Sequence, residues 1–258
     1  MNYIFLSHDV DWRKQGPEKQ HILARRDRFE PGILEKLDEI NPYYNFPEFM
    51  EIEEKFGMRS TFFFRTKYEN GDYLDYEDEI KGLEGKGWEI GLHLDPSSVG
   101  NFDEIRMEKE KLEKITKKKV LGNRVHYIKF LDSLPLMLKK LGFVYDSTIK
   151  NAKDSIAEED SGFHLRDEII EFPITLMDTY MFAYMKISEK EIIPTFERTL
   201  NQVREKENKI VTVIWHDNVL KMKGGRMYQS ILEFLHTQED FEICTGIDLA
   251  RKIEKKAM

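Results

Sequence analysis

Two aspartates, two positions apart, follow the first apolar run of the chain. Asp9 and Asp11 lie in the segment 7–12, directly after the run 3–6, which is short, β-branched and aromatic and predicts a buried strand. Side chains alternate along a strand, so both carboxylates point to one side and His8 points to the other. Neighbouring carboxylates repel each other unless a cation lies between them or one carries a proton. The pair therefore suits a metal hydrolase, in which one acid binds the ion and the other acts as base; two solvated acids in a loop are the alternative.

Polar residues also follow the later strand-like runs, and helical stretches separate these runs. The runs are 60–64, 88–92, 120–121, 143–145, 169–172, 210–215 and 241–244. The polar residues at their ends are His93, Arg124 with His126, Asp146, Glu171 and His216. Repeated strand–helix alternation predicts an α/β fold with a parallel sheet and outer helices. Closing that sheet gives a distorted (β/α) barrel, whose functional residues gather at the carboxyl ends of the strands. We predict one such domain over residues 1–258.

Composition narrows the class of protein. The chain has 258 residues, 40% hydrophobic and 34% charged, which is typical of a soluble globular protein. Its net charge of −8 argues against a nucleic-acid binder and against a protein attracted to anionic membranes. No apolar run reaches the roughly 20 residues that span a bilayer, and the sequence predicts no export signal, so we expect a cytoplasmic protein. The single cysteine, Cys244, forms no internal disulfide. Composition does not indicate an oligomeric state.

In this order, the segments resemble the motifs of the polysaccharide deacetylase superfamily, and most closely its branch whose first motif reads His-Asp-Val-Asp. The resemblance spans nearly the whole chain. The matching segments are 7–11, 41–43 with 60–64, 91–93, 124–127, 145–148, 171–173 and 215–217. The resemblance implies a barrel of the polysaccharide deacetylase type. It further implies that Asp9 is the catalytic base, Asp11 and His93 bind metal, Arg124 orients Asp9, and His216 is the catalytic histidine.

Two departures from the family pattern affect the metal site. Val10 separates two aspartates that are adjacent in the common form of the family, and Ser97 stands where a second metal histidine is expected. His126 is the replacement that we predict, and Asp95 is another candidate. A metal site needs about three protein ligands and an open position for water. Asp11, His93 and His126 would form such a set, and the ligand types favour a divalent ion, Zn²⁺ above others.

The resemblance also implies a reaction and a substrate. Asp9 would accept a proton from water as it attacks an acetamide, and His216 would protonate the departing amine, which releases acetate from an amino sugar. Four aromatic residues near the strand ends can stack on sugars, and Asp146 lies in a groove segment; the aromatic residues are Trp12, Tyr127, Tyr180 and Trp215. The expected partner is a carbohydrate, and a cytoplasmic enzyme would act on a precursor of a surface polysaccharide.

Three other functions stay open at this point. One is a metal hydrolase of another bond, such as a phosphoester or a cyclic amide. A second is a barrel that has lost catalysis and binds glycan, which Ser97 in place of a histidine makes possible. A third is a glycosidase without metal, which would pair Asp9 or Asp11 with Glu171 at a separation of about 5–9 Å.

Overall fold

The computed structural model describes residues 1–207 and 209–257. Its strands are β1 (Asn2–Val10), β2 (Thr61–Phe64), β3 (Glu89–Leu94), β4 (Gly122–Val125), β5 (Tyr145–Asp146), β6 (His164–Arg166), β7 (Ile169–Glu171), β8 (Leu176–Met177), β9 (Ile210–Ile214) and β10 (Phe241–Cys244). Its helices are α1 (Lys19–Leu23), α2 (Pro31–Leu34), α3 (Phe46–Lys55), α4 (Glu77–Gly85), α5 (Phe102–Thr116), α6 (Leu134–Lys140), α7 (Asp178–Ala183), α8 (Glu189–Arg204), α9 (Tyr228–His236) and α10 (Gly246–Ala257). The predicted alternation of strand and helix is confirmed.

All strands belong to one sheet, in the order β6-β7-β5-β4-β3-β2-β1-β9-β8, with β10 also paired to β1. Every pairing is parallel except that of β6 with β7. Parallel neighbours need long crossover connections, and most of these carry the helices between successive strands. The parallel register brings the carboxyl ends of the strands to one edge, as the sequence predicts.

β1 is the central strand of the sheet. Its nine residues are long enough to pair with β9 on one side and with two strands on the other. On that other side β10 pairs with residues 2–5, and β2 pairs with residues 7–10. β1 is buried along nearly its whole length, which explains its continuous run of apolar residues.

The sheet curls until its two ends approach each other. The connection between β7 and β8 joins them, because the Phe172 amide donates to Asp146 O (2.9 Å) in β5 and the Thr175 amide donates to Thr212 O (3.0 Å) in β9. The result is a distorted barrel with helices outside, which confirms the predicted fold class. None of the helices among the described residues is both long and apolar enough to cross a bilayer.

Several elements differ from the sequence prediction. β4 starts at Gly122 instead of at residue 120, and β6 lies in the stretch between the predicted runs 143–145 and 169–172. β8 has only two residues, too few for a periodic pattern to reveal. Pro31 is the first residue of α2, a position at which a proline removes no hydrogen bond.

Candidate active site

Three of the predicted ligands meet at the carboxyl edge of the sheet. Asp11 follows β1, His93 lies in β3 and His126 follows β4. Asp11 Oδ1 lies 3.1 Å from His93 Nε2 and 3.1 Å from His126 Nδ1, and the two histidine nitrogens are also 3.1 Å apart. Adjacent parallel strands place His93 opposite Arg124, which brings His126 beside it two residues later. One ligand atom from each of the three side chains therefore points at a common centre.

The donor atoms fit a divalent cation. Tetrahedral ligands about 2.0–2.1 Å from zinc are about 3.3 Å from one another, close to the spacing of these three atoms. The Nδ1 of His93 donates to Arg124 O (3.0 Å), so Nε2 carries the lone pair that a metal requires. Burial is the main cause that lowers the pKa of His126 and keeps its imidazole neutral at physiological pH.

Ser97 and Asp95 lie outside this group. Ser97 is exposed and its hydroxyl donates to Asp95 Oδ1 at 2.6 Å. The other oxygen of Asp95 pairs with Arg65 at 3.2 Å. Asp95 therefore has partners already, and of the two candidate replacements only His126 joins Asp11 and His93.

Asp9 sits beside these three residues and is held by Arg124. The Arg124 guanidinium donates to Asp9 Oδ1 at 2.7 Å, and both side chains are buried. Burial alone would raise the pKa of Asp9, but the guanidinium of Arg124, with smaller contributions from the neighbouring histidines, outweighs it and holds this pKa below its ordinary value. The other oxygen, Oδ2, lies 3.9 Å from His93 Nε2. Asp9 is thus an ionised carboxylate aimed at the common centre.

Arg124 is itself fixed by the neighbouring strand. Its Nε donates to Ser147 O and a terminal nitrogen donates to Ser147 Oγ, both at 2.9 Å. The nitrogen that binds Asp9 also reaches Ser7 Oγ at 3.0 Å. The orientation of Arg124 towards Asp9, which the family resemblance implies, has a structural cause in these contacts.

His216 lies on the opposite side of Asp11, next to a carboxylate that the sequence did not reveal. His216 Nε2 is 3.6 Å from Asp11 Oδ2. Its Nδ1 donates to Asp178 Oδ1 (2.6 Å) and its amide donates to Asp178 Oδ2 (2.7 Å). Burial would lower the pKa of His216, but Asp178, Asp11 and Asp9 raise it to about 10. His216 is therefore an oriented imidazolium whose free N–H faces the cleft.

The cleft around these residues is partly aromatic. Its volume is about 350 Å³. Tyr127, Tyr180 and Tyr184 line it together with Lys153. Tyr127 is 78% exposed and its ring lies 3.9 Å from that of His126, while Tyr184 is 50% exposed. Exposed rings beside a polar centre are suited to the apolar faces of a sugar.

Two predicted substrate contacts are corrected by the structure. Trp215 has no exposed surface, packs against Phe182 and donates its indole N–H to Gly225 O (2.9 Å). It precedes His216 on the same extended segment, so it points into the core when His216 points to the cleft. Asp146 is also fully buried, and its Oδ1 accepts hydrogen bonds from Asn123 and Thr148.

Two further residues lie away from the cleft. Trp12 packs against His21 and Tyr43, and its ring is not part of the cleft wall. Glu171 is buried, and its Oε1 accepts the amides of Thr148 and Ile149. Glu171 therefore does not face Asp9 or Asp11 across the cleft, which removes the basis of the glycosidase alternative.

His8 takes the position that strand alternation predicts. It points away from Asp9 and Asp11, and its Nε2 contacts Glu53 Oε1 at 2.8 Å in the core. Glu53 also accepts hydrogen bonds from Ser60, Trp88 and Tyr228. This network fixes helix α3 against β1 from behind the site.

Sequence reasoning missed Asp178, Thr179, Tyr184 and Lys153. Asp178 directly follows the two-residue strand β8, so no hydrophobic pattern marks it as a strand-end residue. The segment 174–177 before it contains Thr175 and is too short to indicate a strand by its pattern.

No family model and no curated protein sequence matches the chain. Solved structures do match it. A protein from Mycobacterium smegmatis named as a polysaccharide deacetylase has a TM-score of 0.70 at 18% identity, over 99% of this chain and 91% of that one. The PuuE allantoinase has a TM-score of 0.65 at 14% identity, over 97% and 90%. The peptidoglycan deacetylase PdaC from Bacillus subtilis has a TM-score of 0.53 at 12% identity, over 99% and 93%.

These likenesses extend over almost the full length of the chain and confirm the architecture that its motifs predict. The chain shares its fold, a distorted (β/α) barrel, with structures that include a protein named as a polysaccharide deacetylase and a peptidoglycan deacetylase.

Proposed function

We propose that the protein is a metal-dependent hydrolase that removes an N-acetyl group from an amino sugar, in a surface-polysaccharide precursor or a related glycan. The observation that carries this proposal is the convergence of Asp11, His93 and His126 on one point, with Asp9 and His216 on either side of it. A base, an acid and three ligand atoms in one cleft are what amide hydrolysis requires. The fold likeness to deacetylases supports the choice of an acetamide.

The three ligand residues supply the place for Lewis-acid chemistry. A divalent cation bound there, Zn²⁺ by ligand type, would polarise the amide carbonyl and lower the pKa of the attacking water. The remaining steps belong to side chains of this chain. Asp9 accepts a proton from water, because Arg124 keeps it ionised and aimed at the centre.

His216 completes the reaction by donating a proton. A C–N bond breaks poorly unless the departing nitrogen is protonated, so a general acid must face the amine side of the substrate. His216 carries that proton at neutral pH, since nearby carboxylates raise its pKa, and its free Nε2 faces the cleft. Asp178 holds the ring in this orientation. The products are acetate and a free amino sugar.

Tyr127 and Tyr184 are the proposed sugar contacts. Both are exposed at the cleft, and Tyr180 packs against Tyr184 with ring centroids 5.1 Å apart. They replace Trp215 and Trp12 in this role. The cytoplasmic location and the precursor as substrate stay predictions of the sequence.

The direct test is acetate release from N-acetylated sugars by the purified protein, loaded with Zn²⁺ or treated with chelator. We expect release by the loaded protein only, and none from Asp9→Asn, although this variant should retain its metal. Glu51→Gln, an exposed change on helix α3, is the matched control. A loaded protein that is inactive on free, nucleotide-linked and lipid-linked sugars would contradict the proposal.

A hydrolase of another C–N bond is the second candidate. The likeness to an allantoinase structure, with a TM-score of 0.65, favours it over phosphoester hydrolysis. The same residues would perform the same proton transfers, and only the substrate would differ. Ureide and cyclic amide substrates in the same assay decide between the two. A barrel that binds glycan without catalysis is less favoured. Its basis was the missing metal histidine at Ser97, and His126 supplies a third ligand atom in its place.

A further inference from the structure

A second pocket adjoins the candidate active site on the other side of helix α7. Its volume is about 330 Å³, and Thr179 lines both this pocket and the active-site cleft. Phe182 and Met222 form part of its apolar wall. Asp178, which orients His216, lies between the two spaces. Thr179 is therefore the residue at which the two spaces come closest in the lining of the site.

Three cations line this space, which we call the cationic pocket: Arg28, Lys186 and Lys223. All three are exposed at its rim. Within the described part of the chain none of the three forms an ion pair, whereas Arg226 close by pairs with Glu189 at 2.8 Å. Cations that have no carboxylate partner are available to an anion from outside.

Main-chain bonds fix two of these cations relative to each other. The Lys223 amide donates to Arg28 O at 2.8 Å, and an isolated antiparallel bridge joins Phe29 to Met222. Lys223 Nζ donates to the carbonyl of Asp27 at 3.2 Å, and its charge also acts on Glu189, the carboxylate that pairs with Arg226. Lys186 follows the end of α7 and adopts a left-handed backbone with φ of 56°.

The carboxylates of the pocket do not cancel this charge. Asp178 is buried and both its oxygens accept hydrogen bonds from His216. Asp27 is the other acidic residue in the wall, and it is exposed beside Arg28. Three cations thus line a pocket whose one exposed carboxylate is Asp27, while Glu189 nearby already pairs with Arg226, in a chain whose net charge is −8. A local positive field on an acidic protein selects for a negatively charged ligand group.

We propose that the cationic pocket binds an anionic group of the substrate, so that the enzyme acts on a negatively charged amino sugar and not on a neutral one. This inference rests on the proposed function and gives its substrate class. The anion is a phosphate, a diphosphate or a carboxylate, all of which Arg and Lys bind. The apolar side chains of Phe182 and Met222 can pack against the part of the substrate that carries the anionic group.

The kinetic test compares an N-acetylated amino sugar as its neutral methyl glycoside, its 1-phosphate, its nucleotide diphosphate form and a uronate-containing disaccharide. We expect the wild type to prefer one of the anionic forms in kcat/KM. The double variant Lys186→Gln/Lys223→Gln should reduce the ratio of anionic to neutral kcat/KM roughly tenfold, in line with two partly exposed charge contacts. Salt should reduce the wild-type ratio, because the Debye length is about 8 Å at 0.15 M.

Lys190→Gln, an exposed change on helix α8 outside the pocket, is the matched control and should keep the wild-type ratio. A wild type that hydrolyses neutral and anionic forms equally well would overturn the pocket proposal while the deacetylase function stands. An unchanged ratio in the double variant would overturn it as well.

Direct binding separates this proposal from the function itself. If the protein hydrolyses none of these sugars, the proposed function fails. Calorimetric titration of the chelator-treated protein with inorganic phosphate and pyrophosphate then tests whether the pocket binds anions. If the double variant binds these anions roughly tenfold more weakly than the wild type, and Lys190→Gln binds them equally well, the pocket is an anion site. Binding that is absent, or equal in all three proteins, rejects it.

Discussion

Replacing Asp178 by Asn tests the assignment of His216 as general acid most sharply. The change keeps the size of a side chain that is fully buried. Asp178 now accepts the Nδ1–H of His216 with Oδ1 and its amide N–H with Oδ2. An asparagine offers one acceptor oxygen and one NH₂ donor. Two N–H groups must then face each other at one of the two contacts, so the ring loses either its orientation or its tautomer.

The electrostatic effect follows from the same contact. The pKa of His216 stands at about 10, and Asp178 is the largest of the charges that raise it. Removing a carboxylate at this distance lowers the pKa of a neighbouring histidine by about 1–3 units. A group with a raised pKa is protonated below that pKa and loses its proton as pH rises through it. The alkaline limb of kcat therefore moves to lower pH by that amount. A cation bound at Asp11 lowers the pKa of His216 in the wild type, because it cancels part of the negative charge around the ring.

The rate should also fall. A positioned general acid contributes roughly 10²–10⁴-fold to catalysis, so we expect Asp178→Asn to lose on the order of 10²-fold in kcat at pH 7. The assay is acetate release over pH 6–10, with zinc content measured on the same samples. Metal content should be unchanged, since Asp178 is outside the group of ligands.

Two variants complete this experiment. His216→Ala should lose at least as much activity, and the double variant Asp178→Asn/His216→Ala should be no worse than His216→Ala, because residues that act as a unit are not additive. Asp154→Asn, an exposed change, is the control for handling and folding. An Asp178→Asn enzyme with the wild-type rate and alkaline limb would refute the role assigned to the pair.

Further variants test the metal site and the fold. His93→Ala and His126→Ala should each lower the zinc content measured by atomic absorption. A wild-type zinc content in His126→Ala would show that His126 does not replace the histidine expected at Ser97. Arg124→Met leaves Asp9 buried without its cation, so it should destabilise the protein by about 3–5 kcal/mol in urea unfolding; a loss of activity with wild-type stability would contradict this. Glu53→Ala leaves its buried donors unpaired and should cost at least about 1–3 kcal/mol, a prediction that an unchanged urea midpoint would contradict.

The strand-end residues were predictable because periodicity reports burial. An uninterrupted apolar run of a few residues marks a strand that is buried on both faces, and the next polar residue lies at the edge where loops form. Asp9, His93 and His216 were located in this way. His8 was also assigned to the correct side, because alternation along β1 places it opposite Asp9 and Asp11.

Trp215, predicted to contact the substrate, is buried instead. Alternation along the end of β9 directs Trp215 away from the side that His216 faces, into the core. At Asp146 alternation offers little help, because β5 has only two residues. Its burial is decided by pairing with β7 at Glu171, which is 25 residues further along the chain.

The sequence alone determined the alternating α/β architecture and the identity of most groups near the centre, since both depend on local pattern and residue type. Only the tertiary structure decided which of them meet. The parallel register of β3 and β4 places His126 beside His93 and Asp11. Asp95 does not join this group, because it pairs with Arg65. The carboxylate behind His216 and the cationic pocket beside it come from segments far apart in the chain. Their proximity depends on how the sheet curls, and no pattern within a single segment records that.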